Sequence, residues 1–231
     1  MDRPRRELER MAAAGAETQA CQRELEEAGS NVVRELLRGQ RSLRDWEHYP
    51  DGDVYDRESH AQYYFHAHPK DERPAEYGHF HTFLRQQGMP SGTRQAEAAG
   101  DAGLDDGEAL SHIIAISVDE IGNGIGLFTT NRWVTGEIWY AAEDVVAMID
   151  CFRVEQGRAR WTNRWITAVL RLFRPQIVDL LHRRDRAIAN WCKSHPEHDV
   201  FEDRALEVPS QIAISIPEQI RDIRAALEKI A

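Results

Sequence analysis

The sequence has no run approaching the roughly 18 apolar residues that a bilayer-crossing helix needs, and its opening MDRPRRELERM has no apolar segment of its own. It also lacks a glycine-rich loop followed by Lys-Ser or Lys-Thr, a dinucleotide fingerprint and a Gly-x-Ser-x-Gly elbow. GNGIG at 122–126 lies between two strand-like segments with no helix after it, which is the setting of a turn. Cysteine is scarce: Cys21, Cys151 and Cys192 are far apart and form no CxxC pair, so neither a disulfide framework nor a thiolate metal site is on offer. Reduced thiols of this kind place the protein in the cytoplasm. Basic charge is short as well, with 29 Lys and Arg against 39 Asp and Glu and a net charge of −10. Nucleic acid and anionic membranes are therefore disfavoured partners.

One segment runs against that balance. Between Arg153 and Lys193 ten basic residues face three acidic ones, which leaves −17 for the rest of the chain. An arginine-decorated solvent face of long helices is the plainest account, and the alternatives are an anion-binding surface or a contact with the chain's own acidic part.

With 231 residues, 42% of them hydrophobic, the chain can build one sizeable core. The pattern predicts an α+β fold, a small and mainly antiparallel sheet packed against helices. Residues 1–45 read as an N-terminal helical arm, mostly exposed, and 46–231 as a single α+β domain. Asn31 is placed to cap a second helix over Val32–Leu37. WEHYPDGDVYDRES, residues 46–59, reads as an ordered loop anchored by Trp46, Tyr49 and Tyr55. Strands are expected at 60–68, 77–84 and 111–119, and again within GLFTTNRWVTGEIWY, where Gly136 would mark a bulge. A mobile loop is expected at 86–109, which is poor in large apolar residues. Helices follow at 141–152 and through 161–191, where Pro175 suits the first turn of a new helix or a kink in one long helix. LEVPSQIAIS suits an edge strand, and Ser215-Ile216-Pro217-Glu218 combines a capping serine, an early proline and a glutamate at the start of a last helix.

The informative stretch is YYFHAHPKDERPAEYGHFHTF, residues 63–83, with two His-x-His pairs. On a strand, residues two apart share a face, so His66 with His68 and His79 with His81 can converge if the two strands pair. Neutral imidazoles with one carboxylate make a sensible first-row metal site. His66, His68, His79 and His81 are the leading ligands and Glu76 the carboxylate, while His60 suits an outer position. Asp71 and Glu72 read as solvent-facing turn residues. His112 opens the third strand, where it shares a face with Ile114, Ile116 and Val118. It is expected to look inward at the same histidine chamber, as a further ligand candidate after the four histidines and as a candidate proton carrier. In TTNRWVTGEIWY, Arg132 can orient an anionic substrate, with Trp133, Glu137 and Trp139 around it.

The His-x-His pattern resembles that of cupin barrels, but the acid follows eight residues after His68 and the glycine spacing differs, so no residue role carries over. HFHTF resembles the strand motif of histidine-triad nucleotide hydrolases, except that Phe83 stands at the third alternating position. YYFHAHP, EYGHFHTF and TNRWVTGE together resemble an uncharacterised bacterial domain family across most of the chain, and that resemblance implies no activity. The residues themselves point to a metal-dependent enzyme acting on a small polar or anionic molecule with iron, zinc or manganese. Non-haem iron oxidation stands slightly ahead of zinc hydrolysis, and a noncatalytic binding domain is the competing class.

Overall fold

The computed structural model describes residues 3–39, 43–96 and 109–230. Six strands pair in chain order into one antiparallel sheet: β1 Tyr49–Tyr55, β2 Ala61–His66, β3 Gly78–Arg85, β4 Leu110–Val118, β5 Gly124–Thr129 and β6 Ser210–Ala213. Its edges are irregular or short. β1 carries Pro50 and Gly52 and a register shift between Tyr49 and Val54, and β6 has four residues. The helices are α1 Arg5–Glu27, α2 Val32–Leu36, α3 Arg132–Thr135, α4 Ala142–Ile149, α5 Arg160–Leu172, α6 Arg174–Ser194 and α7 Ile216–Lys229.

The α+β reading holds, and its local signals explain most boundaries. Asn31 accepts hydrogen bonds from the N–H groups of Val33 and Arg34, and the Ser215 hydroxyl accepts from Glu218 N–H. Pro175 sits in the first turn of α6. α1 is more than an exposed arm, because Leu8, Met11, Ala14, Thr18, Cys21 and Leu25 form a buried stripe. Residues 49–55 form an edge strand where a loop was expected; Tyr49 is buried, whereas Trp46 and Tyr55 are exposed. The segment after β5 is α3 in place of a further strand. Gly136 ends it in the left-handed conformation at φ 62° and marks no bulge. Half of the loop expected at 86–109, residues 97–108, lies outside the described residues. Its flanks hold a 3-10 turn at Gln86–Gly88 and a bridge between Gln95 and Tyr140.

Alternation along the strands sorts two chemistries onto two faces. Tyr63, Phe65, Phe80, Ile114, Ile116 and Leu127 join the core with helical residues such as Trp165, Val169 and Leu180. Phe80 lies 6.0 Å from Trp165 between ring centroids. Tyr64, His79, His81 and Phe128 take the opposite face, and it too is buried.

A carboxylate ties this sheet to the helical layer. Asp56, in the β1–β2 connection and 2% exposed, accepts from the N–H groups of Glu58 and Ser59 on one oxygen and of Glu155 and Gln156 on the other, at 2.8–3.1 Å. Burial alone would raise its pKa, but these four donors hold it down at about 2. Asp56→Ala strips four donors of their acceptor at once. It is expected to cost about 2 kcal/mol, read as a lower urea midpoint at unchanged slope.

Candidate metal centre

The register brings the two His-x-His pairs together. His66 lies opposite His79, Tyr64 opposite His81, and His79 opposite Ser117 of β4. The rings of His66, His79 and His81 sit 4.4–5.2 Å apart between centroids. This is no solvated hairpin face: His66 is 8% exposed and His79 and His81 are each 1% exposed. Buried imidazoles need partners, since an unpaired polar group away from water is costly.

His112 reaches the same face through a bulge. The ladder pairs Thr82 with Ile114 but Phe83 with His112, so Ile113 is an inserted residue. One extra residue reverses the alternation, which takes His112 from the aliphatic face and sets it beside His81. His81 Nδ1 and His112 Nε2 are 3.1 Å apart, and Thr130 Oγ1 is 3.2 Å from His112 Nδ1.

The connection between β2 and β3 supplies two carboxylates. Pro69 and Arg73 carbonyls accept the turn hydrogen bonds that shape it, from Glu72 N–H and Glu76 N–H. As a result Glu72 Oε2 lies 3.2 Å from His68 Nδ1, and Glu76 Oε1 lies 2.5 Å from His79 Nδ1. An ionised carboxylate can only accept, so each ring carries its proton on Nδ1 and leaves a bare lone pair on Nε2. His66 Nε2 and His68 Nε2 stand 3.1 Å apart. Two nitrogens bound at about 2.0–2.1 Å to a tetrahedral ion would be roughly 3.3 Å apart. Ligand atoms of His66, His68 and His79 all lie within 4.8 Å of one another, and among the described residues theirs is the one group of this kind.

Burial keeps His66, His79, His81 and His112 neutral, the state in which imidazole ligates a metal. Burial, reinforced by His79 and His68, pushes His66 down to about 2. Burial, followed by Arg184 and His79, takes His112 to about 3. Burial drives His81 well below the ordinary histidine value, and it also lowers His79 in spite of Glu76. Glu76 is held below the usual range: burial would raise it, but the hydrogen bond and charge of His79, with Ser117 and Arg73, prevail. Two buried nitrogens, His66 Nδ1 and His81 Nε2, have no hydrogen-bond partner among the described residues. His81 Nε2 is thus a second unsatisfied group next to the triad.

Of the residues expected from the sequence, His66, His68 and His79 form the group that could hold a metal ion, with His81 and His112 adjoining. Glu76 stands behind His79 as its orienting carboxylate and is not one of the three. Glu72 is exposed, as expected, and at the same time performs this service for His68. His60 lies outside the cluster, with its Nδ1 2.6 Å from the hydroxyl of Tyr55. Arg132 pairs with Asp199 at 3.2 Å and Glu202 at 2.9 Å and lies over the ring of Phe201. Its side chain is thereby engaged by the 199–202 turn. The arginine beside the cluster is Arg73, which bridges Glu76 and Glu207 and covers Phe128, the ring 4.9 Å from His79.

Sequence reasoning also missed the cover of the site. His48 stacks on Tyr64 at 3.7 Å, and the exposed Trp46 meets His68 edge-on at 4.1 Å. Glu137, fully buried, accepts from His112 N–H at 2.6 Å and is pushed by burial up to about 7. Only the run of aromatics around 46–49 hinted at such a cover.

These features define an α+β protein with a buried histidine face on an antiparallel meander. The chain belongs to the family described as Domain of unknown function (DUF6969), whose model matches residues 12–214. No curated protein and no solved structure matches the chain. Among the described residues no helix is long and apolar enough to cross a membrane.

Proposed function

We propose that this protein is a metal-dependent enzyme in which His66, His68 and His79 hold one divalent cation and water is activated against a small polar or anionic substrate. The observation that carries this reading is the pairing of His68 and His79, through Nδ1, with Glu72 and Glu76, which leaves both Nε2 atoms bare beside His66. Three neutral imidazoles leave the ion's charge undiminished, and an ion so held can lower the pKa of a bound water to about 7. That favours zinc hydrolytic chemistry. The iron alternative rested on a carboxylate ligand, and Glu76 is spent on His79. His81, a neutral ring with an unpartnered Nε2 beside the triad, is placed to hydrogen-bond a water on the ion, and His112 and Thr130 continue its hydrogen-bonded chain by two members.

The near-complete burial of the three rings favours a second reading, a cation held only for structure. Metal content of protein purified without a histidine tag or chelator tests both. About one ion per chain is expected, lost in a folded His79→Ala variant, with affinity falling about 10- to 100-fold in Glu76→Gln. Hydrolysis of carboxylic and phosphoric ester probes that disappears with the ion supports the enzyme. Stoichiometric metal with no turnover of any probe supports the structural ion. No uptake of zinc, iron or manganese sinks both.

A further inference from the structure

A cavity of 910 Å³ lies apart from the histidines, where α1 faces α5. Its size is in the range of about 300–1,000 Å³ typical of small-molecule sites. Met11, Ala14, Val154 and Ala168 give it an apolar lining of mostly small side chains. Around them stand six arginines and four acids, an excess of cation in a chain whose net charge is −10.

The ion pairs leave that excess concentrated. Arg164 binds Glu17 at 2.6 Å, Arg174 binds Asp150 through two hydrogen bonds of 2.8 and 2.9 Å, and Arg153 is shared between Glu58 and Glu155. Glu7 is taken by Arg3. Arg6, Arg10 and Arg171 are left with no ion pair or hydrogen bond among the described residues. Arg6 and Arg10 are four apart on one helix, a spacing at which like charges repel. A second recess of 470 Å³ shares Asp150, Arg153 and Arg171 with the first, so the cationic lining continues beyond α5. Guanidinium groups grasp phosphate and carboxylate oxygens in pairs.

We propose that this cleft binds a polyanionic small molecule, a phosphorylated or multiply carboxylated organic compound, through Arg6, Arg10 and Arg171, with its uncharged part against Ala14 and Ala168. The basic excess between Arg153 and Lys193 thereby acquires a local purpose.

Calorimetric titration of the full chain at low ionic strength, with tripolyphosphate and with citrate as probes, tests it. One probe molecule per chain is expected, more weakly as salt is added, and the tighter probe tells phosphate from carboxylate. An Arg10→Glu/Arg171→Glu variant is expected to raise Kd about 10- to 100-fold or more. Arg158→Glu, an exposed change outside the cleft, leaves Kd unchanged, and so does His79→Ala, which separates this site from the metal centre. Should the double variant fail to fold by circular dichroism, Arg171→Gln is titrated in its place and must weaken binding. Absence of binding by both probes, or equal binding by the charge-altered variant, overturns the proposal.

Discussion

Between pH 6.5 and 4.5 the protein unfolds cooperatively in dilute buffer, because acid protonates histidines that the fold accommodates only as neutral rings. His66 and His112 have folded pKa values of about 2 and 3, and His81 lies well below its ordinary value. Below pH 6.5 the unfolded chain binds protons that the folded chain refuses, so stability falls as pH falls. Each such histidine contributes a slope of about 1.4 kcal/mol per pH unit, and three give roughly 4. Glu137 acts in the opposite sense. Its pKa is raised to about 7, so it favours the folded state at low pH and loses that advantage as pH rises through 4.5 to 7. One proton against three leaves the histidines in control. A domain stable by about 5–15 kcal/mol is exhausted within a few pH units of such a slope. Circular dichroism across the acid range checks it, and a midpoint below pH 3 would contradict neutral burial of the cluster. Bound metal steepens the same transition, since protons displace it.

Gly78→Val is expected to disable the proposed metal centre without touching any of its three histidines. Gly78 opens β3, one residue before His79, and a Cβ there would lie 2.3 Å from Phe65 Cζ and 2.6 Å from the His66 carbonyl oxygen. Phe65 is fully buried and the carbonyl belongs to the backbone, so neither can yield cheaply. Relief comes only by parting β2 from β3 where His66 opposes His79. The expected cost is about 3 kcal/mol, accompanied by weaker metal uptake in the fraction that still folds. Gly126→Ala supplies the contrast, because its added Cβ comes no nearer than 3.3 Å to anything. Equal metal affinity in Gly78→Val and the parent would show that strand separation does not govern the site.

Much of this architecture was legible from alternation and capping. HFHTF declared a strand through its two-residue period and SHIIAISVD through its isoleucine-rich run, and Ser215 with Glu218 announced α7. The losses have physical reasons. YPDGDVY reads as a turn because Pro50 and Gly52 obscure an edge strand that tolerates them. RWVT reads as strand by side-chain preference, yet Asn131 caps it and Gly136 terminates it as one helical turn. The inserted Ile113 lies beyond any periodicity argument, for a bulge shows only against a partner strand. The candidate ligand group was visible because His66 and His68 are two apart at the end of one strand and His79 lies on its neighbour. The roles of Glu72 and Glu76 were not, because a turn sets which nitrogen each carboxylate meets. Arg132 looked available because its partners, Asp199 and Glu202, are about seventy residues away.

The irregular β1 and the four-residue β6 matter beyond this molecule's interior. A meander of six strands ends in two rows of backbone groups that another chain could extend. Here one border is broken by proline, glycine and a slipped register, and the other is too brief to align a guest. The sheet is thus finite by construction. Among the described residues, the two ends of this layer give a strand of another chain little to align on, while its middle carries the histidines.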